Sequence, residues 1–93
     1  MSEQEYLLAI VGPLVAHPEL LTVERKTDER GVLLTLHVDQ SDMGKVIGKG
    51  GETARAVRRL LRQFGMAREM RLSMRIYEPE GSRRSFGGEE TDL

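Results

Sequence analysis

Gly44-Lys45-Val46-Ile47-Gly48-Lys49-Gly50-Gly51 runs an apolar pair straight into a glycine-flanked basic turn. A Gly-Lys-Gly-Gly turn exposes backbone N–H groups that no side chain covers. If a helix starts directly after it, those groups lie at the positive end of that helix's dipole, where a phosphate oxygen is favoured. Lys49 adds a mobile positive charge at the tip.

Downstream, Ala54, Val57, Leu60, Leu61 and Phe64 recur at helical spacing, and Gly65 is a C-terminal stop signal for the helix they define. Arg55, Arg59 and Arg62 fall almost opposite that stripe. Met70, Leu72, Met74 and Ile76 then alternate with Arg71, Ser73, Arg75 and Tyr77, which predicts a strand closed by Pro79. Upstream, Met43, Val46 and Ile47 suit a short helix that Asp39 or Ser41 can cap. Before it, Leu21–Lys26 and Val32–Val38 read as two strands joined by the turn Asp28-Glu29-Arg30-Gly31, with glycine where a positive φ is expected. Val32, Leu34, Leu36 and Val38 share one face, and Leu33 on the other is exposed or near a groove.

At the start of the chain Ser2 and Glu5 have the spacing of a capping box. Leu7, Ile10, Val11, Leu14 and Val15 continue as an apolar stripe. Pro13 kinks or tightens this helix, and His17-Pro18 ends it. The order is helix, strand, strand, helix, loop, helix, strand. Three strands with one apolar face under three helices make an α+β two-layer sandwich. Residues 1–78 form a single domain. Residues 79–93 lack apolar periodicity and are expected to be a disordered acidic tail.

The 93 residues hold no Cys, and their hydrophobic content of 39% suffices for one small core. Without Cys there is no disulfide framework or thiolate metal site, as in a reducing compartment. No signal peptide or membrane span fits, so a cytoplasmic protein is expected. The formal net charge of −1 hides a strong asymmetry. Residues 41–77 carry nine bases against three acids, about +6, while the segments on either side are acidic. A basic block centred on a glycine turn points to a polyanion partner.

Other glycine-loop chemistries fail on spacing. From Gly44 the sixth position is Lys49, not the glycine that a Walker A loop requires, and no strand leads in. From Gly48 the last position of a dinucleotide fingerprint is Thr53. No catalytic residue is assigned, because there is no Cys, no Ser at a nucleophile elbow, and the carboxylates fall on solvated faces. His17 and His37 lack a second ligand at metal spacing, so no metal or other cofactor is expected.

Gly48-Lys49-Gly50-Gly51 between two amphipathic helices resembles the helix–G-x-x-G–helix unit of a KH domain, whose loop clamps a four-nucleotide single strand. With Leu14-Val15-Ala16-His17-Pro18 before the hairpin, the Gly44–Lys49 run and the small size, residues 5 to 78 look like the bacterial stand-alone KH proteins of the KhpA family, with a type II KH order. That resemblance implies a cytoplasmic single-stranded RNA-binding protein, RNA chaperoning and, in some bacteria, a link to cell elongation with a second KH partner. It also implies that Val46 and Ile47 run into the loop, with Ile47 lining an apolar groove beside the bases. Gly48 and Gly51 would permit close backbone approach, Lys49 and Gly50 would meet phosphate, and Lys45 and Arg55 would flank them. Glu52 departs from the family pattern, standing where a basic or neutral residue is common. A second reading stays open: a protein-interaction module that homodimerises or docks a partner KH protein.

Overall fold

The computed structural model describes residues 1–78, so the expected acidic tail lies outside the described residues. Helix α1 spans Glu3–Val11 behind the expected capping box: the Ser2 hydroxyl accepts from Glu5 N–H, and the Glu5 carboxylate accepts from Ser2 N–H. The helix stops earlier than the apolar stripe suggested. Pro13 lies in a tightened 3-10 turn over Gly12–Leu14, and Leu14 is left exposed. A second 3-10 turn, Pro18–Leu20, leads into the sheet.

Strand β1 (Thr22–Asp28) pairs antiparallel with β2 (Gly31–His37). Their two-residue connection works because Gly31 adopts φ 130° and the Asp28 carboxylate accepts from Arg30 N–H at 2.7 Å. After a 3-10 turn at Gln40–Asp42 come α2 (Met43–Ile47), the glycine turn, α3 (Glu52–Ala67) and β3 (Leu72–Ile76). Asp39 caps that 3-10 turn, its carboxylate accepting from Ser41 N–H, whereas α2 itself starts without a side-chain cap. Strand β3 pairs in parallel with β2, Val32 facing Leu72, Leu34 facing Met74 and Leu36 facing Ile76, giving the order β1-β2-β3.

Cross-strand partners share a face. The inward rows of β2 and β3 therefore meet Leu7 and Val11 of α1, Val46 of α2 and Val57 and Leu61 of α3 in one core. Leu7, Val11, Leu34, Leu36, Val46 and Leu61 are fully buried. Each such aliphatic side chain contributes about 1.5–3 kcal/mol by leaving water. Tyr6 stacks on Phe64 with centroids 4.4 Å apart, tying α1 to α3, and the Arg68 guanidinium covers the Phe64 ring. Leu60, expected on the apolar stripe of α3, is instead exposed.

Gly65 is not the stop expected for α3; it is buried two residues before the end. A Cβ there would sit 2.7 Å from the Met70 carbonyl oxygen and 3.0 Å from Leu72 Cγ, so glycine serves the close passage of the chain into β3. The stop is Glu69, at φ 58°. Met70 N–H donates to Gly65 C=O at 2.8 Å and Glu69 N–H to Met66 C=O at 3.1 Å. That bond pair is a Schellman ending, with glutamate where glycine is usual.

Candidate nucleic-acid interface

Helix α2 has five residues, and Val46 and Ile47 anchor it in the core, 0% and 6% exposed. Val46 therefore seats the turn from within the core, and Ile47 is nearly as enclosed. The chain then leaves the helix at Gly48 with φ 81° and ψ 169°. Any side chain at this position would press on Thr53, its Cβ lying 2.7 Å from the Thr53 N. Gly50 (φ 63°) and Gly51 (φ 80°) continue in the left-handed region that favours glycine. Gly51 is buried beneath α3 and Gly50 is exposed, with nothing within 4 Å of an added Cβ.

The turn is closed by its own backbone. Gly51 N–H donates to Gly48 C=O at 3.1 Å, Gly48 N–H to Gly44 C=O at 2.8 Å, and Glu52 N–H to Lys49 C=O. The N–H groups of Lys49 and Gly50 have no acceptor among the described residues. They sit at the N-terminal end of the 16-residue helix α3, where Gly51 brings no capping side chain. The Lys49 ammonium is exposed and, among the described residues, has no carboxylate partner. The exposed turn thus carries backbone donors, a helix N-terminus and a lysine without a carboxylate partner among the described residues.

The two flanking cations are spent within the chain. Arg55 Nη1 donates to the Gly50 carbonyl at 3.0 Å, bracing the turn from the next helical turn. Lys45 Nζ reaches Asp42 Oδ1 at 3.4 Å. Glu52 is exposed in the first turn of α3, a favourable place for an acid beside the dipole.

Asp42 was invisible to sequence reasoning, because its partners lie far away along the chain. Its carboxylate is 1% exposed and accepts the N–H groups of Ala16 at 3.0 Å and His17 at 2.9 Å. The His17 ring lies 3.3 Å away. Burial opposes its ionisation, but the Ala16 and His17 N–H groups, Lys45 and the His17 ring together hold its pKa down at about 2. This staple fixes α2, and hence the glycine turn, against the loop that follows α1. Potential donor atoms of His17, Asp39 and Asp42 lie within 4.8 Å of one another, but the Asp42 oxygens already serve those N–H donors.

Behind the turn, Arg59 and Arg62 are exposed along α3, while Arg58 Nε donates to the Met74 carbonyl at 3.1 Å and pins the helix to β3. Leu33 borders an open groove at the far end of β3 with Arg62, Met66, Met70, Arg71 and Arg75, in line with its expected place. No helix among the described residues is long and apolar enough to cross a membrane.

The family model described as KhpA/KhpB, KH domain matches residues 4–76, which takes in the turn and every element around it. This chain belongs to the KhpA/KhpB KH-domain family. Within that family, it is 36% identical over 75 residues to the RNA-binding protein KhpA of Listeria monocytogenes, covering 81% of this chain and 99% of that protein. The RNA-binding protein KhpA of Bacillus subtilis is equally similar, with 81% and 93% covered. That of Streptococcus pneumoniae serotype 4 is 36% identical over 58 residues, 62% of this chain and 73% of its own length. These KhpA/KhpB relatives are named for RNA binding and not for an enzymatic reaction. The α-β-β-α-α-β order is consistent with a KH fold and with the α+β reading of the sequence.

Proposed function

We propose that this protein binds single-stranded RNA without catalysis, holding the backbone of about four nucleotides at Gly48–Gly51. The observation that carries this reading is the coincidence, at one exposed turn, of the N-terminus of α3 with two N–H groups and a lysine that have no partner among the described residues. The names of the KhpA relatives support it. Gly48 and Gly51 keep the backbone bare, Lys49 and Gly50 meet phosphate, and Ile47 and Val46 hold the turn rigid. Lys45 and Arg55 act chiefly by shaping the turn and add positive potential.

Recognition led by phosphate and confined to four nucleotides is weak, with a Kd on the order of micromolar or above, and salt-sensitive. Such binding suits a cytoplasmic RNA chaperone or post-transcriptional regulator that samples many transcripts. A link to cell elongation, and pairing with itself or a second KH protein, rest on the family resemblance. The deciding experiment replaces Lys49 and Gly50 together by Asp. Gly50 has open space around it, and Asp tolerates the left-handed region better than most residues. The fold should survive, shown by an unchanged melting profile, while retention of a single-stranded RNA is lost. Undiminished binding by the double variant would refute the loop as the site.

A further inference from the structure

The sheet face turned away from the helices carries a ring pair at one end. Leu36 and Ile76 point into the core, so their successors His37 and Tyr77 point outward, and Tyr77 N–H donates to Leu36 C=O at 2.9 Å. The two rings stack with centroids 4.7 Å apart and planes 28° from parallel. Glu24 of β1 holds the far side of the imidazole, its Oε1 3.3 Å from His37 Nε2. Tyr77 is thus backed by a ring that is itself anchored, yet remains 48% exposed.

Position makes this pair relevant. Helix α3 returns antiparallel to β3, and the Arg58–Met74 bond fixes one against the other. From that bond, Glu52 lies about 9 Å back along the helix. Tyr77 lies about 10 Å onward along the strand. The glycine turn and the ring pair therefore occupy the same end of the molecule. Strand β3 is an edge strand, so a chain leaving the turn needs to cross one rim to reach the rings. Arg75, exposed on the same face as Tyr77 and without a carboxylate partner among the described residues, can meet a phosphate there.

We propose that Tyr77, backed by His37, is a base-stacking shelf that extends the single-stranded RNA footprint beyond the Gly48–Gly51 turn. This rests on the RNA-binding reading above. Every base has a π-face, so the shelf adds affinity with little sequence preference. It gives this domain an aromatic contact that the turn itself lacks.

The test titrates the full chain with four- and eight-nucleotide oligoadenylates by fluorescence anisotropy. A stacking base on an exposed ring should give the longer probe an advantage of about fivefold or more. Tyr77→Ala should remove that advantage and leave the short probe's binding unchanged. Tyr77→Phe should keep it, and abasic sites at the outer positions of the longer probe should abolish it. Equal binding of the longer probe by Tyr77→Ala and the unsubstituted protein overturns the shelf, as does equal loss of both probes. The Lys49→Asp/Gly50→Asp variant separates the two readings. If it loses both probes while Tyr77→Ala keeps the longer probe's advantage, the loop stands and the shelf falls; if it binds both normally while Tyr77→Ala loses only that advantage, the shelf stands and the loop falls. A Tyr77→Ala change that alters only self-association, with RNA binding intact, assigns the face to protein contacts and overturns the proposal.

Discussion

Arg55 reaches back five residues to donate to the Gly50 carbonyl, so the outermost peptide of the glycine turn is tied to the first turns of α3. Removing that tie frees a segment with three positive-φ glycines, whose ordering entropy would then oppose RNA binding at the proposed site. Arg55→Ala is expected to weaken RNA binding several-fold with little change in melting temperature. Arg55→Lys retains the charge without the rigid guanidinium reach and should fall between the two. Equal affinity of Arg55→Ala and the parent would show that the brace has no part in binding.

Gly48 and Gly50 should respond differently to alanine. At Gly48 the new Cβ would press on Thr53 and the residue would be held at φ 81°. At Gly50 the left-handed backbone is strained but the space is open. Gly50→Ala should cost about 1 kcal/mol. Gly48→Ala should cost more, of the order of 2–3 kcal/mol, and take RNA binding with it. Urea titration of both variants checks the order; a reversed order would contradict the packing described for Gly48.

Acid stability should depend on Asp42. Its folded pKa of about 2 lies below the usual 3.8, so folding favours the ionised form. The resulting stability is present above pH about 4 and is lost as pH falls towards about 2. Asp42→Asn cannot titrate; it should melt lower at neutral pH and show a shallower decline across that acid window. Parallel melting-temperature-against-pH curves for the two proteins would rule out Asp42 as a source of the acid limb.

Glu69→Gly is a stabilising change. The glutamate occupies the left-handed position of a helix ending that glycine adopts without a Cβ penalty, worth up to about 1 kcal/mol. The gain should appear as a higher urea midpoint with RNA affinity unchanged. A lower midpoint would mean that the Glu69 side chain contributes more than its backbone strain costs.

Much of this architecture is legible in the sequence because its signals are local. Ser2 and Glu5, the turn before Gly31, the alternation from Leu72 to Ile76 and the glycine turn each declare themselves within a few residues. What stayed hidden depends on distant partners. Nothing near Asp42 announces that Ala16 and His17 will bond it, 26 and 25 positions away. Gly65 read as a stop because glycine ends helices and also permits close packing, and only the path into β3 shows which applies. Leu14 and Leu60 extended real apolar stripes past the width that the sheet covers. Arg55, Arg59 and Arg62 share one helix face in the sequence pattern, yet of the three Arg55 alone among the described residues donates to a backbone carbonyl.

The parallel pairing of β2 with β3 joins Val32 to Leu72, with the glycine turn strung between them. Contacts of such sequence separation form late, after the loop-closure cost has been met. During synthesis, the segment from Gln40 to Ala67 therefore has no completed sheet beneath it until residue 76 has left the ribosome. The helices on either side of the glycine turn accordingly gain their full backing only when the closing strand pairs with β2.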